Sequence, residues 1–508
     1  GQDARGRVEM TYRLSFVVGD RKTVVDVQEL LRPMSAGESR VMKSGWHRDL
    51  TVSMSPESPV AWQLYVARPT PTTTLGTPTV TAWQAADRSD RPAKQQTWLK
   101  LPGQGERQFA LLKKSTSKSK SRLVALRYAC SLASTRLPLK PARLTEVKPE
   151  KLTTVPGFEA VRLPLSRSIM PTALCWRPDG TLAITSLKGH VYLAHDSDGD
   201  GLEDRLELFE EGLAAPYGIL ADGNDLLVCH KPEVLRLRDT DGDGRADVRE
   251  VLGSGWGYSD DYHDWTCGLI RDKAGNLFVG LGSNYSQRNR VRETSRWRGK
   301  VLKISKDGRV EPVGHAFRYP TGLAIDARGR IFVSDNQGVQ NTFNEINHLV
   351  AGRNYGVPSR FEEEHRRPPV SPAIQVPHPW SRSVNGLFFL PGSFGNPSLA
   401  GHGIGCEYDN RFLVRFTLQE VGGEFQGAVY HFSRPGAGAG GTNFVGPLSG
   451  AVSPAGDIYI GNIFDSGWLG GRNTGTITRL RPLENGPNGL RELAAVPGGF
   501  RLRFSSAV

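Results

Sequence analysis

Two runs of carboxylates share one spacing. Asp196 to Glu207 reads DSDGDGLEDRLE, and Asp239 to Glu250 reads DTDGDGRADVRE. Counted from the first Asp of each, carboxylates fall at positions 1, 3, 5, 9 and 12, with glycine at position 6. That is the ligand spacing of a calcium loop. The first set is Asp196, Asp198, Asp200, Asp204 and Glu207; the second is Asp239, Asp241, Asp243, Asp247 and Glu250. Leu202 and Arg245 hold the seventh position, where a backbone carbonyl serves. A hard cation takes about six to eight oxygens, and the late glutamates can bind through both of theirs. The flanks, Val191 to Leu193 and Val234 to Leu237, read as strands, so these are clamped β-turns rather than helix–loop–helix sensors. Their role is structural: five clustered carboxylates repel one another without a cation.

Other candidates are single residues set in unusual company. His263 lies in GWGYSDDYHDWTCGL, among Asp260, Asp261, Tyr262, Asp264 and Trp265. A neighbouring carboxylate raises a histidine's basicity and fixes its tautomer, as a general base requires. The competing reading is an ordinary loop histidine. Arg318, in GHAFRYPTGL, suits a carboxylate or anionic oxygen of a ligand. DNQGVQNTFNEIN, Asp335 to Asn347, is rich in amides, as befits either a loop lining a polar ligand or a plain turn cluster.

The elements that must position these residues repeat. Openings of the type Gly-Leu, followed by a turn and a short β-branched run, start at 173, 218, 268, 322, 386 and 450. The gaps are 45, 50, 54, 64 and 64 residues, the size of four-stranded propeller blades carrying insertions. Six such blades close into a ring without an exposed sheet edge; a β-sandwich with coincidental Gly-Leu pairs is the alternative. The expected architecture is all-β, a six-bladed β-propeller over 151–485. Gly157 to Leu163 alternates like a strand and is expected to pair near Ile477 to Leu480, latching the last blade. His263 and Arg318 then stand at blade mouths facing the central channel.

Residues 1–150 lack the repeat. Strand-like pieces at Val8 to Val18, Val60 to Val66, Thr79 to Gln84, Thr97 to Leu101 and Leu123 to Ala129 suggest a separate, sandwich-like β module. Leu137 to Thr154, rich in Pro and Lys, reads as its linker. The ending, 486–508, reads as the start of a further module, as in a fragment of a longer protein.

Composition narrows the function classes. The chain has 508 residues, a net charge of +12 and a mean hydropathy of −0.38. No apolar run nears the ~20 residues of a membrane span. The beginning, GQDARGRVEM, carries no charged-then-apolar leader. The densest basic run, Lys113 to Arg122, reads as a solvated loop. With no groove-reading element or stacking aromatics beside it, nucleic acid is not the expected partner. Five scattered cysteines, Cys130, Cys175, Cys229, Cys267 and Cys406, exclude a dense disulfide framework or a local zinc knuckle. Cys175, Cys229 and Cys267 fall in or beside strands as buried thiols.

Three stretches carry a family resemblance: Gly314 to Asp326 (GHAFRYPTGLAID), Asp335 to Pro358 (DNQGVQNTFNEINHLVAGRNYGVP) and the His263 segment with its following strand. They resemble the glucose/sorbosone dehydrogenase family of six-bladed, pyrroloquinoline-quinone-dependent sugar dehydrogenases, and most of all its large relatives in planctomycete-type bacteria, often labelled membrane-bound dehydrogenases. The likeness spans about 155–483. It implies a periplasmic or secreted sugar dehydrogenase using the quinone and calcium, a carbohydrate or other small polar substrate, and an external electron acceptor. His263 resembles the general base that takes the sugar hydroxyl proton, and Arg318 the arginine over the cofactor. Gln337 and the carbonyls of Gly338 and Val339 resemble cofactor and calcium contacts. Asn344 stands where the family commonly has aspartate.

The chain also departs from the family. Tyr319 replaces an Asn, Asp409 lies where a cofactor-binding lysine is usual, and Gly446 to Ser449 lack the paired arginines that hold the quinone's carboxylates. Three functions therefore stand side by side: the quinone-dependent dehydrogenase, a non-redox calcium-stabilised propeller binding carbohydrate or protein, and a polysaccharide lyase or hydrolase on the same scaffold.

Overall fold

The computed structural model describes residues 8–18, 21–33, 45–54, 62–67, 79–85, 108–112, 122–131, 147–258, 264–283, 296–337, 343–357, 368–378, 380–433, 444–467, 469–484 and 489–505. The chain divides into two compact units, Gly1–Leu144 and Thr145–Val508. The first holds a five-stranded antiparallel sheet, in the order Val8–Val18, Arg21–Pro33, Gly45–Met54, Arg122–Ser131 and Thr79–Ala85, and a separate ladder of Trp62–Ala67 with Gln108–Leu112. Arg21–Pro33, Gly45–Met54 and Gln108–Leu112 were not foreseen as strands, and Thr97 to Leu101 lies outside the described residues.

The second unit is a six-bladed propeller. Its inner strands are Pro171–Trp176, Gly218–Asp222, Thr266–Arg271, Pro320–Ile325, Val384–Phe389 and Pro447–Val452. Each opens a blade of four or five strands, antiparallel throughout except where Arg353–Asn354 adds in parallel to the outer edge of blade three. Each inner strand also touches the next in turn, and the sixth touches the first, so the sheets form a cycle. All six line one channel of about 450 Å³. The ring is latched as the alternation of Gly157 to Leu163 suggests. Phe158–Arg162 pairs antiparallel with the last blade, Arg162 opposite Thr478 and Phe158 opposite Pro482.

The recurrent glycine has a steric cause. A Cβ on Gly322 would fall 2.0 Å from the Asn385 carbonyl oxygen of blade five, and one on Gly386 would fall 2.4 Å from that of Leu448 in blade six. Inner strands crowd where the ring is narrowest, so only glycine fits there.

The apolar core is divided among the seams. Leu182, Ile184 and Leu174 of blade one pack on Tyr459 and Ile477 of blade six. Val191 and Leu193 pack on Ile219 and Val228. Phe332 and Ile346 pack on Val414 and Phe416. Each blade is apolar on both faces because each face meets a neighbour, which is why its second strand reads as a continuous apolar run. Cys229, Cys267 and Cys406 are buried thiols, and Cys175 is half-buried; burial pushes the Cys229 thiol up to about 12. The chain's last strands, Leu490–Val496 and Gly499–Phe504, form a hairpin. Arg415 of blade five holds it by donating to the carbonyls of Leu490 and Arg491, both at 2.8 Å. Among the described residues no helix is long and apolar enough to cross a membrane.

Candidate functional site

In an antiparallel blade, the turn after the second strand and the turn before the first lie on one face of the ring. The acidic loops follow third strands and lie on the other. A cavity of about 280 Å³ opens on the former face, at the mouth of the channel. Its walls are aromatic (Tyr217, Trp265, Tyr319, Tyr408), cationic (Arg318, Arg382) and amide (Asn336, Gln337, Asn385), with Asp409 the carboxylate and Leu448 apolar. Tyr217 and Trp265 are stacked, with ring centroids 5.3 Å apart.

Arg318 is held from behind. Its backbone N–H and that of Tyr319 both donate to Asp335, at 2.8 and 2.7 Å. Burial pushes the Asp335 carboxyl up to about 6, opposed by those two N–H groups and the Arg318 charge. The motif Asn354 to Val357 braces the same turn: Tyr355 stacks on Phe317 at 4.3 Å, and the Val357 N–H donates to the Ala316 carbonyl. Two parts of the sequence resemblance thus pack on each other. The Arg318 guanidinium donates to the side-chain oxygen of Gln337 at 2.6 Å and to the Asn336 carbonyl at 3.2 Å. Its Nε, and the side-chain oxygen of Asn336, are buried without a hydrogen-bond partner among the described residues.

Gln337 sits at φ 63°, the left-handed region a non-glycine residue rarely adopts. Strain of this sort persists only where the surroundings over-determine it. Here Asn344 accepts the Gln337 N–H at 3.1 Å and donates to the Ser381 carbonyl at 2.6 Å. Asn344 is wholly buried, so its side chain supports the wall instead of lining it. Gly338, Val339 and His263 lie outside the described residues. Asp264, one residue after His263, is buried in an ion pair with Arg298, and Trp265 lines the cavity.

Arg382 is the cation that sequence reading missed. It stands before the fifth inner strand and pairs with Asp409 at 3.1 Å. Glu407 joins the two walls, accepting the N–H groups of Arg382, Ser383 and Asn410. Burial pushes its carboxyl up to about 7 against those three bonds. Only the isolated SRS ahead of a Gly-Leu opening marked Arg382 in the sequence.

The profile of a family described as "Domain of unknown function (DUF7133)" matches residues 177–464, more than half of the chain. The chain belongs to the DUF7133 family. No curated protein matches its sequence. Among solved structures, the DUF7133 propeller is similar to a putative oxidoreductase (glucose dehydrogenase) from Thermus thermophilus, at 19% identity and a TM-score of 0.46, over 64% of this chain and 100% of that one. It is similar to the PQQ-bound aldose sugar dehydrogenase from Streptomyces coelicolor, at 17% identity and a TM-score of 0.44, over 66% and 98%. A calcium structure of the Trichoderma reesei Carbohydrate-Active Enzymes Family AA12 aligns at 13% identity and a TM-score of 0.49, over 67% and 99%.

On the opposite face of the DUF7133 propeller the two acidic loops fold alike. Asp196 accepts the N–H groups of Gly199 and Gly201, and Asp239 those of Gly242 and Gly244. Oxygens of Asp196, Asp198 and Asp200 lie within 4.8 Å of one another, as do those of Asp239, Asp241 and Asp247. Hydrogen bonds from Ser197 and Thr240 hold the Asp204 and Asp247 carboxyls below the usual range. Asp243 accepts the Arg245 N–H at 2.8 Å. Glu207 pairs with Arg205 and His195, and Glu250 with Arg236.

Each loop also spans a seam. The Gly201 carbonyl accepts from Arg479 of blade six at 2.7 Å, and Leu202 is buried in the core between blades six and one. The Ala246 N–H donates to the Phe209 carbonyl of blade one at 2.8 Å.

Proposed function

We propose that the mouth pocket binds pyrroloquinoline quinone and oxidises a sugar, with calcium in the two acidic loops holding the ring. The observation that carries this reading is the convergence of Arg318, Gln337 and Arg382 with four aromatic side chains on one cavity. The pocket fits a planar polyanion. The aromatic walls suit a flat ring system, and two guanidiniums can take carboxylates in bidentate fashion. The Arg318 Nε is a buried donor lacking an acceptor among the described residues. Arg318 and Arg382 would hold carboxylates, and Gln337 and Asn336 would bond ring oxygens and nitrogens. The bound quinone supplies a hydride acceptor. His263 takes the proton of the sugar hydroxyl. The stacked Tyr217–Trp265 pair offers the sugar's apolar face a platform, and a periplasmic or secreted location suits such an enzyme.

Titration with the quinone and calcium, followed by absorbance, and a dye-linked assay over a panel of aldoses test the reading. Spectral change on binding and dye reduction with at least one sugar are expected; neither appearing would sink it. The Arg382–Asp409 pair, which neutralises one of the two cations, favours a second reading, a pocket for a neutral glycan without redox chemistry. Glycan binding that survives quinone omission, with no dye reduction, would select that one. His263→Ala separates the two, since loss of a base removes turnover and leaves binding.

The acidic loops fit calcium by donor chemistry, with carboxylate oxygens already gathered around one point in each. Isothermal titration with calcium, repeated on Asp196→Ala and Asp239→Ala, is expected to show two sites, each variant losing one.

A further inference from the structure

Gln337 is gripped at both ends of its amide. Its oxygen receives the Arg318 guanidinium at 2.6 Å, and its nitrogen lies 3.2 Å from Nε2 of His378. His378 follows the outer strand Ile374–Pro377, so all three residues sit on turns of blade four on the pocket face. The polarity of this chain is forced. A guanidinium has donors only, so the Gln337 amide must turn its oxygen to Arg318 and its NH2 to His378. The imidazole must therefore accept at Nε2, which places its hydrogen on Nδ1. If His378 offered an N–H at Nε2, donors would face both ends of an amide with an oxygen at only one, and the hydrogen bond to Gln337 would be lost from either Arg318 or His378.

We infer that His378 is a positioning residue: by accepting from Gln337 it fixes the orientation of that amide and so holds Arg318 aimed at the pocket. The backbone of Gln337 lies in the left-handed region, and its N–H is held by Asn344 at 3.1 Å. His378 itself is not among the residues that line the cavity. It acts through Gln337 and would escape a search for pocket-facing groups.

The inference rests in part on the quinone reading, so it has two tests. The first needs no ligand. In protein labelled with 15N at histidine, with His378→Gln used for assignment, His378 should show a protonated Nδ1 and an unprotonated Nε2. A proton on Nε2 overturns the proposal. The second uses pyrroloquinoline quinone with calcium as the probe. His378→Leu should weaken binding by about 3- to 10-fold, the worth of one net hydrogen bond. His378→Gln, which keeps an acceptor, should restore most of it. In a Gln337→Leu background, His378→Leu should cost nothing further. An equal loss in both backgrounds would mean that His378 acts elsewhere, and would overturn the proposal. If the wild type binds no quinone, the functional reading fails, and the tautomer still decides the relay.

Discussion

The two faces of the ring are built on opposite principles. On one, the acidic loops take their shape from a few adjacent residues: an Asp accepts the N–H groups three and five positions on, and glycine makes the bend. On the other, the pocket gathers side chains from all six blades, from Leu187 to Ile463. The loop carboxylates are mostly exposed, whereas Asp335 and Glu407 behind the pocket are wholly buried. The carboxylates behind the pocket accept the backbone N–H groups of Arg318 and Arg382. Changes on the loop face should move folding, and changes at the pocket should move ligand binding.

The sharpest break in this contrast lies between the loops themselves. Leu202 and Arg245 hold the same position, but Leu202 is buried in the closing seam and Arg245 is exposed. Leu202→Ala should cost about 2–5 kcal/mol, as core truncations do, and Arg245→Ala less than about 0.5 kcal/mol. Denaturant unfolding measures both; equal costs would erase the difference between the seams. Calcium removal comes next. At a free concentration about 100 times Kd, each occupied loop adds about 2.7 kcal/mol, so chelation should lower the unfolding midpoint while Asp196→Ala blunts the response.

At the pocket, Arg318→Ala should weaken quinone binding by about 10- to 100-fold, from the loss of a charge-assisted bond worth ~1.5–3 kcal/mol, with little change in unfolding. A variant that unfolds instead would make Arg318 a structural residue.

The last effect is one of pH. Burial raises Glu407 from an ordinary 4.5 to about 7, so the folded protein retains a proton that the unfolded chain releases. Stability should therefore fall as pH rises from about 4.5 to about 7, by on the order of 3 kcal/mol at most. Glu407→Gln should flatten the slope between pH 5 and 8. A slope unchanged in the variant would show that Glu407 does not titrate in this range. Asp335, pushed up to about 6, acts in the same sense and would account for a residual slope.

How much was legible follows the range of the interactions. The Gly-Leu openings were readable because similar crowding recurs at five of the six inner strands, Ala173 standing at that place in blade one, and the latch because Gly157 to Leu163 alternates. Arg318 and Gln337 could be singled out, and the structure brings them into contact. Arg382, Glu407 and His378 could not, because their meaning comes from partners elsewhere in the fold: an Asp409 carboxylate, three N–H groups on two turns, and an amide 41 residues away. Nor did the Asn-Tyr-Gly-Val-Pro motif disclose that it braces the Arg318 turn.

By itself, then, the chain's order of residues determined the repeating blade, its crowded glycines and the two acidic loops, since those depend on contacts within a strand, a turn or a regularly repeated neighbour. Which of its many arginines, amides and histidines share one cavity, and which way a glutamine's amide must face within it, was decided only when six distant turns met around an axis. Hydrogen-bond polarity and ion pairing act over a few ångströms in space and are blind to distance along the chain.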